Sequence, residues 1–257
     1  MTANATARAY AQDIEHFDNW CEQRGLESTP ASPERVALYL RDLAEDGYAY
    51  STIVRRRSGI AAHYRQRGMP DPCRWPLVAD TLRELKGRAA PPQRRATLDL
   101  DGLSMIVAGL SPSRTKDIRD KALLLVGFWG CYRRSDLANL TVGDVGAEAV
   151  GRAGALPDTD LCPVAATSRW LTQTGLTHGP LWRLVNRHGT VSGDGLSGAG
   201  INEVVAGLAE SAGMDGISSY SMRYGVIRAG LDADLSHRTL KDWMGVRTSR
   251  TIDRCAD

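Results

Sequence analysis

The order of apolar and polar positions predicts helix along most of the chain. From about Ala7 to Arg24, the residues Tyr10, Ile14, Phe17 and Trp20 recur at helical spacing and line one face, and Gly25 follows as a C-terminal stop. Ser32-Pro33-Glu34 is a helix start, with a capping serine and a proline in the first turn. Its stripe continues through Val36, Tyr39, Leu40 and Leu43 to a stop at Gly47. Ser51 opens a third helix running to Gly68, with Ile53, Ile60 and Tyr64 on the apolar side. After Pro70-Asp71-Pro72, a fourth helix spans Pro76 to Lys86, with Leu77, Leu82 and Leu85 as its buried positions. These four helices predict a small all-α domain over residues 1–90.

A stretch rich in proline, small residues and arginine begins at Gly87 and reads as a linker over residues 91–97. A second domain, residues 98–257, follows. It opens with a helix from Asp99 to Leu110 that places Met105 and Ile106 inside. The unbroken apolar run Ala122–Trp129 reads as a buried helix, followed by a short helix through Leu140. Gly143 to Leu161 carries little pattern. A helix from Cys162 through Leu171, a short strand at Leu181–Val185 and a helix from Ile201 to Ala212 come next. The last helices run from Leu235 to Met244 and from Ser249 onward. The expected class is mainly α.

Chemistry enters where the buried run breaks, at Gly130-Cys131-Tyr132-Arg133-Arg134-Ser135-Asp136-Leu137. An arginine at the edge of a core needs an anion. Asp136, three residues on, can supply a carboxylate, which leaves the fork of Arg133 to point outward. A second isolated arginine, Arg223, stands in Ser219-Tyr220-Ser221-Met222-Arg223. Two such arginines suit a phosphate clamp.

The net charge of +2 means that any nucleic-acid surface must be clustered. Lys86, Lys116, Lys121 and Lys241 are the only lysines, so the positive charge is mostly guanidinium. The five cysteines are odd in number and scattered, without metal-ligand spacing, so neither a zinc site nor a disulfide framework is expected. No apolar run is long enough to span a bilayer and the N-terminus lacks a signal-peptide core, which implies a soluble, cytoplasmic protein with no membrane partner. Gly193-Asp194-Gly195-Leu196-Ser197-Gly198 fits Gly-x-Gly-x-x-Gly, but only Thr190-Val191 precedes it, so it reads as a flexible loop and not as a nucleotide site.

The segment from Ile118 to Leu140 resembles the first signature box of the tyrosine recombinase (phage integrase) family, Gly-x-x-Arg-x-Ser-Glu-Leu, with Asp136 in place of the glutamate. Arg223 matches the arginine of the second box, His-x-x-Arg. The resemblance implies an N-terminal four-helix, SAM-like core-binding domain and a C-terminal catalytic domain. It implies site-specific DNA integration and recombination on double-stranded DNA, by a homo-oligomer that is a tetramer on DNA, without metal or cofactor. Arg133 and Arg223 would be catalytic, stabilising charge on the phosphoryl oxygens, with Asp136 supporting them. Arg55, Arg56, Arg57, Arg65 and Arg67 of the third helix, Arg94 and Arg95 of the linker, and Arg247 would contact the DNA backbone.

Several positions depart from the pattern. Tyr220 stands at the second-box histidine and Val246 at the later histidine or tryptophan. No lysine occurs between Lys121 and Lys241, so the β-hairpin that carries the family's lysine reads as deleted and the sheet as reduced. Cys255 stands at the nucleophile position, with Arg250 and Arg254 nearby to favour its thiolate. The expectation is a DNA-binding relative with impaired cleavage. The alternative is a non-enzymatic protein that occupies recombination sites or forms a hetero-assembly with an active recombinase.

Overall fold

The computed structural model describes residues 2–90, 96–156, 160–246 and 249–256. The chain divides into two compact units, Met1–Gln93 and Arg94–Asp257.

In unit 1 four helices surround one core: α1 (Thr2–Glu22), α2 (Pro33–Glu45), α3 (Tyr50–Gln66) and α4 (Pro76–Arg88). Ser32 caps α2, its hydroxyl accepting from the Arg35 N–H at 3.3 Å, and Pro33 fills the first turn, where no N–H is needed. Phe17, Tyr39, Leu40, Leu43, Ile53, Ile60 and Tyr64 are buried together, so the predicted stripes of α1 to α3 do face inward. Two local expectations fail. α3 begins at Tyr50 with Ala49 as its cap, not at Ser51. In α4 the buried positions are Val78, Thr81 and Leu85, whereas Leu77 is exposed and Leu82 only partly covered. Thr81 can sit inside because its hydroxyl donates to the Leu77 carbonyl one turn back, at 2.8 Å.

Unit 2 is built on α6 (Thr115–Trp129), whose Ala122–Phe128 run is fully enclosed. Around it lie α5 (Leu100–Ala108), α7 (Arg134–Ala138), α8 (Pro163–Thr174), α9 (Gly198–Ser211), α10 (Ser219–Asp232), α11 (His237–Met244) and α12 (Arg250–Ala256). In α5, Ile106 is buried but Met105 is 58% exposed; adjacent helical residues point about 100° apart, so one of the two had to face out.

The sheet content is two antiparallel hairpins. β1 (Ala149–Val150) pairs with β2 (Ala153–Gly154), and β3 (Arg183–Val185) pairs with β4 (Val191–Gly195). The stretch read as a deleted hairpin is therefore a shortened one. Gly193–Gly198 is no flexible loop either: it ends β4 and starts α9, whose cap Ser197 accepts from the Gly200 N–H at 3.1 Å. Among the described residues no helix is long and apolar enough to cross a membrane.

Candidate functional site: an arginine cluster around Cys131

The end of α6 forces the first turn of the site. After Gly130 the chain must leave the core and start α7 within a few residues. Cys131 makes that turn with φ +49°, a left-handed conformation uncommon outside glycine. The turn presents the Cys131 carbonyl to α10, where Arg223 is 3% exposed and donates from Nη1 to it at 2.7 Å. Arg223 is thus tied to the backbone two residues before Arg133.

Arg133 itself is the N-cap residue of α7, and its side chain is 60% exposed. Asp136 Oδ2 lies 4.0 Å from its Nη1, at the limit of an ion pair. A contact of that kind on the surface holds the guanidinium weakly, so the fork remains available to an outside anion.

A third guanidinium comes from the shortened hairpin. Its turn is Gly151-Arg152. Gly151 has φ +56°, and a Cβ there would lie 1.9 Å from Tyr132 Oη, so the position needs glycine twice over. The Arg152 backbone N–H donates to Tyr132 Oη at 2.6 Å, and its guanidinium lies 4.5 Å from the Tyr132 ring centroid. Arg152 Nη1 also donates to the Met244 carbonyl at the end of α11. One side chain thereby links the hairpin, the turn before Arg133 and the segment Met244–Val246. Burial pushes the Cys131 thiol up to about 11, although Arg223, Arg152 and Arg133 all pull it down. Arg223 therefore reaches the turn at Cys131 directly, and Arg152 and Arg133 lie near enough to act on its buried thiol.

Sequence reasoning does not reach Arg152. Its only signal is Gly151-Arg152 between the small pairs Ala149-Val150 and Ala153-Gly154, too short for alternation to register.

The other expected site residues are scattered. Tyr220, in the first turn of α10, is 36% exposed, with its ring 5.2 Å from that of Tyr224. Val246 is partly buried against the core of unit 2. Cys255 lies on α12, half-buried against the same core, and its carbonyl accepts from Arg228 Nη1 at 3.3 Å. The side chains of Arg250 and Arg254 lie outside the described residues, as do Arg94, Arg95 and Arg247.

In unit 1 the arginines of α3 separate into two groups. Arg56 is buried, donates from Nη1 to His16 Nε2 at 2.7 Å and stacks over Tyr48 at 4.2 Å. Arg55 binds the buried Asp13 at 2.6 Å, and Arg57 donates to the Cys73 carbonyl at 2.8 Å. Arg56 thus serves the core, while Arg55, exposed beside its pairing with Asp13, and the half-buried Arg57 keep part of their surface toward solvent. Arg65 and Arg67 are exposed, and Arg67 touches His63. Among the described residues no group of three or more His, Cys, Asp or Glu could hold a metal.

Comparison with known proteins agrees with this architecture. Residues 2–66 match the phage integrase N-terminal SAM-like domain. An integrase/recombinase XerD homolog of Selenomonas ruminantium is 25% identical, over 98% of this chain and 81% of the relative. Among solved structures, the Tn1549 transposon integrase in complex with transposon right end DNA aligns with a TM-score of 0.65 at 14% identity, covering 97% of this chain and 94% of that one. The lambda integrase (75-356) dimer bound to a COC′ core site aligns with a TM-score of 0.62 at 16% identity, covering 96% and 87%. N-terminal domain, full-length similarity and fold point the same way, to the tyrosine recombinases, or phage integrases, as the proteins this chain is similar to.

Proposed function

We propose that the chain is a DNA-binding member of this family whose strand cleavage is impaired. The observation that carries the reading is the cluster of Arg133, Arg223 and Arg152 around Cys131, set against the residues at the remaining catalytic positions. Three guanidiniums are suited to holding a phosphodiester and to stabilising charge on its oxygens. A guanidinium does not give up its proton at working pH, so Arg152 supplies charge but no general acid where the family has lysine. Tyr220 and Val246 replace the histidine-type groups, and a thiol stands in place of the attacking phenol. Cleavage needs a nucleophile and a protonated 5′-oxygen leaving group, and proton transfer of that kind contributes typically about 10² to 10⁴ in rate. Two relatives of the same fold are described on DNA, one of them as a dimer, which supports DNA as the ligand and an oligomer as the working form.

Binding to duplex DNA should weaken steeply with salt. If about six phosphates are neutralised, affinity falls roughly a thousandfold between about 50 and 200 mM salt. Binding that salt does not change, or none at low salt, rejects the reading. A nicked duplex then reports cleavage: a covalent protein–DNA adduct should be absent or slow to form. Cys255→Tyr should gain adduct chiefly on a bridging phosphorothiolate, whose sulfur leaves without a proton. Rapid cleavage of both substrates would reveal a general acid and overturn the impairment.

A second reading, that the protein only occupies recombination sites or pairs with an active recombinase, is favoured by the packing of Cys255. Cys255 packs half-buried against the core of unit 2, as a small apolar side chain does. Adduct formation by the unsubstituted chain on the phosphorothiolate would exclude it.

A further inference from the structure

The opposite end of α6 carries a second cluster of cations that the arginine site does not use. Arg114 precedes the helix and Lys116 lies in its first turn, and both are exposed. The tip of the β3–β4 hairpin is built against this point. Asn186 Oδ1 accepts from the His188 and Thr190 N–H groups at 2.9 and 3.0 Å, which fixes the turn. Gly189, with φ +83°, brings the tip so close that a Cβ would lie 3.4 Å from Thr115 Oγ1. The same tip carries Arg187, exposed, with His188 as its one described partner. From α8, Arg169 reaches the same loop, donating to the Pro112 carbonyl at 2.8 Å. The hairpin is anchored from below, because the buried Arg119 donates to the Arg183 carbonyl at 3.0 Å.

Two acids lie nearby, and one of them pairs with a cation of this face. Asp117 is buried, accepts from the Ser111 N–H at 3.0 Å and pairs with Arg114 at 3.6 Å. Asp160 pairs with Lys121 at 3.3 Å. In a chain of net charge +2, Arg114, Lys116, Arg169 and Arg187 on one end of one unit are a concentrated positive surface, and the N-terminal dipole of the 15-residue α6 adds to it. The tip is preorganised by its own hydrogen bonds, so binding there costs little ordering.

We propose that this surface is a second contact for the DNA phosphate backbone, separate from the site at Arg133. The inference rests on the DNA-binding reading above. Arg133 lies at the far end of α6, about 22 Å away along a helix of this length. Phosphates reach both ends when one duplex bends around the unit or when a second duplex lies on the hairpin side. The ligand chemistry is the same in either case.

The test is the salt dependence of binding to a duplex long enough to reach both ends. It compares the unsubstituted protein, the triple variant Arg114→Ala/Lys116→Ala/Arg187→Ala, and Arg133→Ala. Each lost phosphate contact lowers the slope of log K against log salt by about 0.9, so the triple variant should lose about 2 to 3 units of slope. The loss should add to that of Arg133→Ala, because the two sites share no residue. Arg187→Ala alone, at a tip position where folding is not in question, should lose about one unit. An unchanged slope in a protein that binds DNA overturns this surface while leaving the DNA-binding reading intact; no binding by the unsubstituted protein overturns both. Energy transfer between two separately labelled duplexes distinguishes the sources. Transfer that disappears in the triple variant assigns a second duplex, and its absence, together with the slope loss, assigns bending of one.

Discussion

Arg133 and Arg223 place the same guanidinium in opposite environments, and that contrast predicts different responses to the same substitution. Arg133 is exposed and its pairing with Asp136 is marginal. Arg133→Ala should leave the melting temperature nearly unchanged, with stability within about 0.5 kcal/mol. DNA affinity should fall by an amount typical of a charge-assisted bond, about 1.5–3 kcal/mol. Arg223 is buried and satisfies the Cys131 carbonyl. Arg223→Ala strands that carbonyl and opens a cavity, so it should cost about 1–3 kcal/mol of stability from the lost bond alone. Thermal melts without DNA separate the two; equal losses would mean that Arg133 is also a structural residue. Gly225 gives a sharper case. A Cβ there would lie 1.6 Å from the Leu98 carbonyl oxygen, and Leu98 is itself tied to α10 through the Ser221 carbonyl at 3.2 Å. Backbone cannot step aside as a flexible side chain can. Gly225→Ala should therefore cost at least the 1–3 kcal/mol typical of overpacking, about that much or more, and lower the melting temperature without touching any arginine. The sequence showed both clamp arginines but not their environments. Arg56 illustrates why: among the four arginines of α3, only the three-dimensional placement of Asp13, His16 and Tyr48 decides which turn inward.

At the scale of elements, the helices were legible because each carries local punctuation. Ser32-Pro33 and the glycines at 25, 47 and 68 mark ends through backbone chemistry that acts within a few residues. The hairpins were not. β1 and β2 are two residues each, and β3 and β4 pair with an irregularity between Arg183 and Val185. Glycine-rich β4 resembles a loop until its partner is known. The consequence falls on Arg152, whose hairpin is too short to show in the sequence. Arg152 holds the end of α11 through the Met244 carbonyl, and Val246 N–H in turn bonds the Lys241 carbonyl at 3.1 Å. Arg152→Ala should release this end locally. Amide exchange is expected to rise for Gly245, Val246 and the last turn of α11, while the amides of α6 keep their protection. Faster exchange throughout α6 would show that Arg152 supports the whole unit and does not act on one junction.

At the scale of the molecule, two separate cores imply two unfolding transitions, and among the described residues unit 1 carries a partly buried histidine network. In unit 1, Arg56 can only donate, so His16 Nε2 accepts from it, and His16 Nδ1 carries the proton toward Tyr39 Oη at 3.0 Å. A protonated His16 has no acceptor left and would set two cations 2.7 Å apart. Burial, and then Arg56, accordingly hold His16 below its ordinary 6.5, against the opposite pull of Asp13 and Asp46. The folded unit refuses a proton that the unfolded chain accepts, so this contribution is complete above about pH 6.5 and is lost as the pH falls from there toward the lowered folded value. Burial and Arg67 lower His63 in the same direction. Asp13 acts oppositely: burial pushes its carboxyl up despite Arg55, so its protonation favours the folded unit, but only further down, toward the carboxylate range. Comparing neutral pH with about pH 5.5, the transition of unit 1 should move down in temperature. His16→Gln offers an uncharged acceptor to Arg56 and a donor to Tyr39, so it should remove most of that acid shift and leave the smaller part due to His63. An identical shift in the variant would place the acid sensitivity outside this network.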